Sequence, residues 1–457
     1  MAYLKTIELF EWDHGTQKAK FSESELRLLK KLNDGIVYRE NADAITVTYG
    51  KIFTYSYVGI IQIGKKRIEI LPKLYNPSIN LSLNNLTDNE RENLKRTARK
   101  NLFRLLSITG IIPVYKSGLS RYGKEQDFFE FLIALFLYDL ESIVGSHLHH
   151  EYIHQSEDLD TIRGKLDFQK QAVKLPSQLH TFSCNFDEFS IDNPLNRIIK
   201  ATLKRIQDLC RNEDNKKRAF NFYSLMHEIQ DDVITPSFVS KLHFNRLNEK
   251  FENIIEFCCM ILFGSTYTAE EGQNHYYALI FDMNLIFEKF VAKLLRDSLH
   301  EYTFNCQDPL YLASENQPII KYERTKKRMI PDIIVKKNGK SIAIIDTKYK
   351  PDLSRGFISN ADIYQMIAYC VANESDQAIL LYPKLPGQDI LKERDHLVVL
   401  DKLVQEKKLD RSVLISARSV QLFDNYGKIL KKLTDGDKEN ITDLLTSRIL
   451  PHTHTNT

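Results

Sequence analysis

Two apolar stretches decide the fold of the C-terminal third: Met329-Ile-Pro-Asp-Ile-Ile-Val-Lys336 and Ser341-Ile-Ala-Ile-Ile-Asp-Thr347. The turn sequence Lys337-Asn-Gly-Lys340 separates them. Asn-Gly between two apolar runs is a strong signal for a β-hairpin. The sequence therefore predicts two antiparallel strands at this position, each carrying an acidic residue near one end.

The acidic residues are Asp332 in the first strand and Asp346 in the second, and Lys348 follows Asp346 by two positions. Side chains alternate along a strand, so Asp346 and Lys348 share a face, and antiparallel pairing is expected to bring Asp332 beside them. Two carboxylates and a backbone carbonyl can hold Mg²⁺, which activates water and stabilises a phosphate during in-line displacement. Lys348 would orient or deprotonate that water. The pattern predicts a phosphodiester-hydrolysing site; turn caps or a salt bridge are the alternative.

Two flanking helices add further candidates. Glu288 lies in the apolar run Met283–Phe290 and is expected to reach the metal or its water from the opposite side; an exposed surface Glu is the alternative. Gln365 and Tyr369 are four residues apart and share one face of a helix predicted over Ala361–Val371. They are expected to brace Lys348 or to contact a phosphate, although such a pair also suits a helical core.

Basic residues surround the hairpin, and we expect them to follow a DNA backbone with salt-dependent, sequence-independent affinity. A solvated loop is the alternative explanation of such a charge run. The candidates are Arg324, Lys326, Lys327, Arg328, Lys336, Lys337 and Lys340.

The remaining pattern predicts a multidomain α+β protein with three parts. Residues 1–85 form a β-rich N-terminal domain, and residues 86–270 are mainly helical, with Asp88 capping the first helix and a short strand near Lys165–Phe168. Residues 271–457 form a C-terminal α/β domain. It opens with a long amphipathic helix over Ile280–Asp297 and ends, after about residue 425, in a helical tail.

Composition limits the function classes. The 457 residues are 43% hydrophobic and 27% charged, an ordinary globular balance, and the net charge of +3 does not by itself indicate nucleic acid. No apolar run reaches the roughly 18–20 residues of a membrane span. The N-terminus lacks signal-peptide features, so a cytoplasmic protein is expected. The six cysteines form no CxxC pair and are expected to be reduced core thiols.

At this point the motifs resemble a known family, the McrC nuclease subunits of McrBC-type and LlaJI-like restriction systems, within the PD-(D/E)xK superfamily. The resemblance follows the order of several short motifs along the chain rather than any one of them. Taken locally, Gly59 and Gly164 in these motifs are expected to be turn residues. The motifs are Tyr57–Ile61, Ile68–Lys73, Ile162–Leu166, Cys184–Glu188, Asn193–Arg197, Asp282–Glu288, Pro331-Asp332, Asp346–Lys350 and Asp362–Met366.

The resemblance implies a division of labour between two proteins. The McrC-like subunit would cut double-stranded DNA with Mg²⁺, using Asp332, Asp346 and Lys348, in a restriction system of the modification-dependent (5-methylcytosine) or LlaJI-like kind. GTP would be bound by an McrB-like AAA+ ring, in keeping with the absence of a GxxxxGK[ST] motif here. Residues 1–85 and part of the helical region would contact that ring and stimulate its GTP hydrolysis. The sequence beyond Leu381 is longer than in compact family members and predicts an added helical layer or a system-specific contact.

Three alternatives stay open at the level of sequence. A stand-alone PD-(D/E)xK repair or junction nuclease would share the catalytic residues without needing a partner. A DNA-binding scaffold with an inert site would have lost cleavage. A histidine-built metal site could use His147, His149, His150 and His154, but surface or interface histidines explain that cluster better.

Overall fold

The computed structural model describes residues 6–34, 43–64, 66–73, 87–112, 127–144, 148–264, 270–271, 274–307, 310–314, 326–349, 359–384, 396–399, 413–423 and 429–446. Its strands are β1 (Ile7–Phe10), β2 (His14–Lys18), β3 (Ile45–Thr48), β4 (Lys51–Thr54), β5 (Tyr57–Ile63), β6 (Lys66–Leu71), β7 (Glu151–Leu159), β8 (Lys165–Leu166), β9 (Phe182–Ser190), β10 (Glu270–Glu271), β11 (Asn274–Asp282), β12 (Thr303–Cys306), β13 (Leu310–Ser314), β14 (Lys326–Met329), β15 (Ile333–Lys337), β16 (Lys340–Thr347), β17 (Gln377–Lys384), β18 (His396–Val399) and β19 (Val413–Gln421). Its α-helices are α1 (Glu23–Asp34), α2 (Asp88–Ile108), α3 (Phe128–Val144), α4 (Phe168–Ala172), α5 (Pro194–Leu209), α6 (Glu213–Leu225), α7 (Pro236–Val239), α8 (Glu252–Phe263), α9 (Met283–Ser298), α10 (Asn360–Asn373) and α11 (Asp435–Thr446). The expected mixture of helices and sheets in several layers is confirmed.

The N-terminal sheet has the strand order β1-β6-β5-β11-β10, so two of its strands, β11 and β10, come from the second half of the chain. Strand β11 pairs antiparallel with β5 from Tyr276 opposite Ile63 to Asp282 opposite Tyr57. The expected helix from Ile280 was therefore wrong at its start. It begins at Met283, because the Asp282 side chain accepts a hydrogen bond from the Asn284 backbone amide at 2.8 Å and caps it.

Close approach between β5 and β11 explains Gly59. Its φ of 127° lies in a region that disfavours side chains, and an added Cβ would come within 2.1 Å of the Leu279 carbonyl oxygen. Gly164 is similar, because a Cβ there would lie 2.5 Å from the carbonyl oxygen of Asn185. The expectation of a turn residue was wrong for Gly59, which lies within β5, whereas Gly164 does lie in a bend before β8; both permit contact with a neighbouring backbone.

Buried ion pairs join the N-terminal sheet to the helices of the middle region. The Arg99 guanidinium on α2 binds Glu69 on β6 through two hydrogen bonds of 2.9 and 2.6 Å. Arg67, also on β6 and fully buried, donates to Glu130 on α3 at 3.0 Å. Bidentate arginine–carboxylate pairs fix geometry as well as charge, so these contacts set how the helices lie against the sheet.

The middle region is helical, with two departures from expectation. Thr87, rather than Asp88, caps α2 and forms a capping box with Glu90. The short strand expected near Lys165–Phe168 is β8, and it belongs to a three-stranded sheet of order β7-β9-β8. Nine register pairs join β7 to β9, so this region contains considerably more strand than the sequence predicted.

The C-terminal sheet has the order β12-β15-β16-β17-β19-β18 and contains the predicted hairpin. Strands β15 and β16 are antiparallel, and positive φ values at Asn338 and Gly339 are those of a type I′ turn. Strands β17 and β19 continue the sheet in parallel. The segment beyond Leu381, expected to be an added helical layer or a system-specific contact, contributes two strands before α11, and residues after 446 lie outside the described part.

Two further expectations concern whole-chain properties. All six cysteines are free thiols, four of them buried, as expected for core positions. Within the described ranges, no helix is both long and apolar enough to cross a membrane.

Candidate active site at the open end of the hairpin

Strand pairing brings the two predicted aspartates together. Ile333 pairs with Ile345, so Asp332 and Asp346 lie next to each other at the open end of the β15–β16 hairpin. Asp332 is fixed by Thr347, whose backbone amide and hydroxyl donate to Asp332 Oδ2 at 2.7 and 2.6 Å. Asp346 is 2% exposed and Asp332 is half-buried. The antiparallel placement of Asp332 beside Asp346 is thus confirmed.

Lys348 occupies the same side of the hairpin and faces acidic groups. Its Nζ lies 2.8 Å from Asp346 Oδ2 and 3.5 Å from Asp362 Oδ1 on α10. Its backbone amide donates to the Leu381 carbonyl on β17 at 2.9 Å. Asp362 was not among the predicted site residues, although Ser359 and Asp362 form a recognisable N-cap pair at the start of α10.

Gln365 and Tyr369 continue from Lys348 as a chain of hydrogen bonds. Lys348 Nζ donates to Gln365 Oε1 at 2.9 Å, and Gln365 Nε2 donates to the Tyr369 hydroxyl at 2.9 Å. Tyr369 donates in turn to the Ile330 carbonyl at 3.1 Å, just before β15. The chain therefore ties the lysine to α10 and to the strand that carries Asp332.

Glu288 approaches the aspartates from α9. Gln307 links them, because its side chain donates to Glu288 Oε1 at 3.0 Å and its backbone amide donates to the Asp332 carbonyl at 3.1 Å. Gln307 has a left-handed backbone with φ 54°, uncommon for a residue other than glycine. No sequence pattern pointed to Gln307, since its role depends on a loop that only the fold places here.

The electrostatics show crowded negative charge. Burial, followed by the neighbouring Asp332 charge, raises the pKa of Asp346 to about 7 against the opposing effect of Lys348. Burial also raises the pKa of Glu288 to about 7, with Asp332 the next cause. Burial alone would lower the pKa of Lys348, but the surrounding carboxylates, Asp346 foremost, raise it. One lysine therefore does not balance the acidic groups.

The donor set fits a hard divalent cation. Among the described residues, no three or more His, Cys, Asp or Glu side chains form a complete metal cage. Asp332 and Asp346 supply two carboxylates, with Glu288 on the other side through Gln307. Mg²⁺ is usually held by one or two carboxylates while it keeps several waters. A cation here would also relieve the repulsion that raises the pKa of Asp346.

The predicted basic residues lie in two places. The side chains of Lys326, Lys327 and Arg328 are outside the described part, as is all of Arg324. Lys336, Lys337 and Lys340 lie toward the turn end of the hairpin, roughly 13 Å or more along the strand from Asp332. Lys337 donates to Glu301 at 3.1 Å, which gives it a structural partner.

A groove of about 370 Å³ opens beside Glu288 instead. It runs along α9, where Lys289, Lys293 and Arg296 recur at helical spacing, and it includes Gln307. Two of these cations also have structural partners, because Lys293 pairs with Asp297 at 3.1 Å and Arg296 donates to the Phe304 carbonyl at 3.1 Å. Sequence analysis assigned no function to these α9 cations, although their spacing of four and three residues could have shown that they share a face.

The histidine cluster does not form a metal site in the part of the chain that is described. The His150 ring stacks on Phe189 with centroids 4.9 Å apart, and the His149 ring lies 5.6 Å from that of Phe251. His154 contacts Asp187 at 3.2 Å, while His147 is outside the described residues. These contacts agree with interface and surface roles.

Comparison with known proteins places this geometry in context. Residues 52–383, well over half of the chain, match the family described as McrBC 5-methylcytosine restriction system component. The type IV methyl-directed restriction enzyme EcoKMcrBC of Escherichia coli (strain K12) is 26% identical over 255 residues, or 51% of this chain and 70% of the relative.

Solved structures show the same fold. A half-complex from the tetradecameric assembly of Thermococcus gammatolerans McrB AAA+ hexamers with bound McrC matches with a TM-score of 0.69 and 19% identity, covering 96% of this chain and all of that one. The cryo-EM structure of the Thermococcus gammatolerans McrBC complex matches with a TM-score of 0.50 and 24% identity, covering 64% of this chain and 87% of that one.

Proposed function

The chain belongs to the McrBC family, as its motifs indicated, and from this premise we propose that it is the DNA-cutting subunit of a McrBC-like restriction system. Its site would be of the PD-(D/E)xK kind and would hydrolyse phosphodiester bonds in double-stranded DNA. The observation that carries the proposal is the joint placement of Asp332, Asp346 and Lys348 at one hairpin end. An inert scaffold would have no need to keep three such groups so close.

The roles of the side chains follow from their contacts. Asp332 and Asp346 would hold Mg²⁺, which when bound supplies an activated water and stabilises charge on the phosphate. Thr347 fixes Asp332, and Glu288 accepts a proton or orients water from the α9 side. Lys348 stabilises charge on the scissile phosphate, and Gln365 with Tyr369 holds the lysine in place.

The groove along α9 is our candidate for the path of the DNA backbone. Its cations lie within the same groove as Glu288, whereas Lys336 and Lys337 lie at the far end of the hairpin. Phosphate contacts of this kind fix position without reading sequence. The proposal therefore places the main backbone contacts on Lys289, Lys293 and Arg296 and leaves Lys326, Lys327 and Arg328 as further candidates.

The proposed partner is an McrB-like AAA+ ring that binds GTP and whose hydrolysis this chain stimulates. Exposed apolar side chains support a docking role for the β7–β9 sheet: Tyr152 and Phe189 are both exposed and pair across the two strands, with ring centroids 5.0 Å apart. Exposed apolar patches mark interaction sites. Residues 1–85 are a less independent docking unit than expected, because β5 is paired with β11.

The test is plasmid cleavage with Mg²⁺, using this chain alone and with the neighbouring AAA+ protein plus GTP, on DNA with and without 5-methylcytosine. We expect cutting in the complete mixture and at least a roughly hundredfold loss in Lys348→Ala, because charge stabilisation at the phosphate disappears. Lys217→Ala on α6 is the matched control. Released phosphate reports GTP hydrolysis in the same mixtures, where Phe189→Ser should lower the stimulation.

If the chain cuts DNA alone and GTP has no effect, the proposed active site would stand, but the function would be that of a stand-alone repair or junction nuclease. Full activity of Lys348→Ala would refute the proposed site. Unchanged GTP hydrolysis on adding the wild-type chain would remove the partner from the proposal.

A further inference from the structure

The residue after Lys348 is anchored to the opposite end of the chain. Tyr349 is 2% exposed, and its hydroxyl donates a 2.6 Å hydrogen bond to Glu11 Oε1. Glu11 directly follows β1, and its backbone amide donates to the Leu71 carbonyl at the end of β6. The N-terminal sheet therefore contacts the end of the strand that carries Asp346, next to Lys348, through a buried hydrogen bond.

Glu11 is held firmly enough to act as an anchor. It is fully buried, and its Oε1 also accepts a hydrogen bond from the Lys73 backbone amide at 2.7 Å. Its Oε2 is buried and has no hydrogen-bond partner among the described residues. A buried carboxylate without full compensation is costly, so the bonds from Tyr349 and Lys73 are the ones that keep this side chain in place.

Tyr349 also contacts the helix on the other side of the site. Its ring lies 5.7 Å from that of Phe287, the residue before Glu288 on α9. Helix α9 is itself tied to the N-terminal sheet, because it continues from β11 and the Met283 amide donates to the Ser56 carbonyl at 2.8 Å. Strand β16, which carries Asp346, and helix α9, which carries Glu288, are thus both attached to the N-terminal sheet.

Side-chain alternation turns this anchor into a constraint on the lysine. The side chains of Ile345 and Tyr349 lie on one face and point toward α9 and the main core. The side chain of Lys348 lies on the other face, toward α10, where it donates to Gln365. A strand end held on one face by Glu11 and on the other by Gln365 has little freedom to rotate. Catalytic geometry is sensitive to shifts of about 1 Å, which can cost roughly a hundredfold in rate.

We infer that Tyr349 and Glu11 are positioning residues for Lys348, through which the N-terminal sheet sets the geometry of the cleavage site. The inference rests on the proposed nuclease function. It goes beyond that function by assigning a mechanical role to a contact between two parts of the chain that are 338 positions apart. A partner bound to the N-terminal half would therefore act on the lysine through the Tyr349–Glu11 contact.

The experiment compares Tyr349→Phe, Glu11→Leu and Glu11→Gln in the full chain. Tyr349→Phe removes only the donor, Glu11→Leu removes the acceptor, and Glu11→Gln keeps an acceptor oxygen at nearly the same position. Tyr223→Phe is the matched control. Tyr223 lies on α6 in the middle region, and its hydroxyl donates to Asp231 at 3.4 Å. Steady-state cleavage gives kcat and KM for DNA, and mass spectrometry after brief acylation gives the reactivity of the Lys348 amine.

We expect Tyr349→Phe and Glu11→Leu to lower kcat roughly ten- to hundredfold with KM nearly unchanged. The Lys348 amine should become several times more reactive, and Glu11→Gln should restore most of both properties. Wild-type kcat and wild-type Lys348 reactivity in Tyr349→Phe would overturn the inference. If the wild-type chain cuts nothing, the proposed function fails, while the acylation rates still decide whether the anchor holds the lysine.

Discussion

The two large sheets treat buried carboxylates in opposite ways. In the N-terminal sheet, Glu69 is fully buried and is matched by the guanidinium of Arg99 through two hydrogen bonds. In the C-terminal sheet, Asp346 is equally buried but lies beside Asp332, and Lys348, 2.8 Å from Asp346, is shared with Asp362. Burial raises the pKa of both acids, but only Glu69 is matched by a guanidinium, and we propose that this difference separates a structural acid from an acid kept for binding a cation.

The difference follows from what each site must do. A compensated ion pair fixes the geometry of its two side chains. It cannot also bind a ligand, because its charge and hydrogen bonds are already satisfied. An uncompensated group of acids is unstable by itself but gains from binding a cation, and such perturbed groups cluster at functional sites. The comparison predicts that mutations in the two sheets have different observable effects.

The largest expected effect is on cleavage by Asp346→Asn. The amide keeps the shape of the side chain but removes the charge that would bind Mg²⁺, so cleavage should fall by at least roughly 10²–10³-fold. The protein should remain folded, because the substitution also removes repulsion with Asp332. Plasmid cleavage and thermal unfolding of the same preparation check both statements. Cleavage within threefold of wild type would end the distinction drawn between the sheets.

The second effect is on stability and concerns Arg99→Met. The change leaves Glu69 buried without its cation, which should lower the free energy of unfolding by about 3–5 kcal/mol. Urea unfolding followed by circular dichroism measures this. Arg27→Met is the matched control, because the pair with Glu23 is exposed and should change stability by less than about 1 kcal/mol.

Equal losses of unfolding free energy in Arg99→Met and Arg27→Met would mean that burial of the Arg99–Glu69 pair does not increase its contribution to stability. A folded Arg99→Met protein should still bind Mg²⁺, because Asp332 and Asp346 are untouched. Loss of Mg²⁺ binding, measured by calorimetry on folded protein, would contradict the assignment of separate roles to the two sheets.

The hairpin that carries Asp332 and Asp346 was predictable because its signals are local. Asn338-Gly339 fixes the turn, and alternation places Asp346 and Lys348 on one face, so the pairing with Asp332 followed directly. Asp362 and Gln307 were missed, since their proximity to the site depends on how α10 and the segment after β12 pack. Local periodicity carries no information about such contacts.

Strand β11 shows a second limit. A short apolar run such as Ala278–Phe281 suits a buried strand or a helix equally well, and here it leads straight into α9. Its true partner, β5, lies more than 200 positions earlier in the chain. The Glu11–Tyr349 contact has the same cause, so the link between the N-terminal sheet and the site could be recognised only from the fold.

The smallest expected effect concerns Glu11, which lies where the two sheets meet. Burial raises its pKa from 4.5 to about 7, against the lowering effects of Tyr349 and Lys73, and Asp282 adds to the increase. Between pH 4.5 and 7 the folded state therefore binds a proton that the unfolded state does not. Stability must fall as pH rises through this window, by up to about 1.4 kcal/mol per pH unit.

Glu11→Gln has no such titration, so its stability relative to wild type should improve by on the order of 2–3 kcal/mol from pH 4.5 to 7. Urea unfolding of both proteins across this range measures the difference, in which the titration of unchanged neighbours cancels. Glu25→Gln is the control of opposite sign: despite burial, the bond to Lys66 lowers the pKa of Glu25. Its contribution is complete above the unfolded pKa and is lost only as pH falls below it. A flat difference for Glu11→Gln between pH 4.5 and 7 would show that burial does not raise the pKa of Glu11.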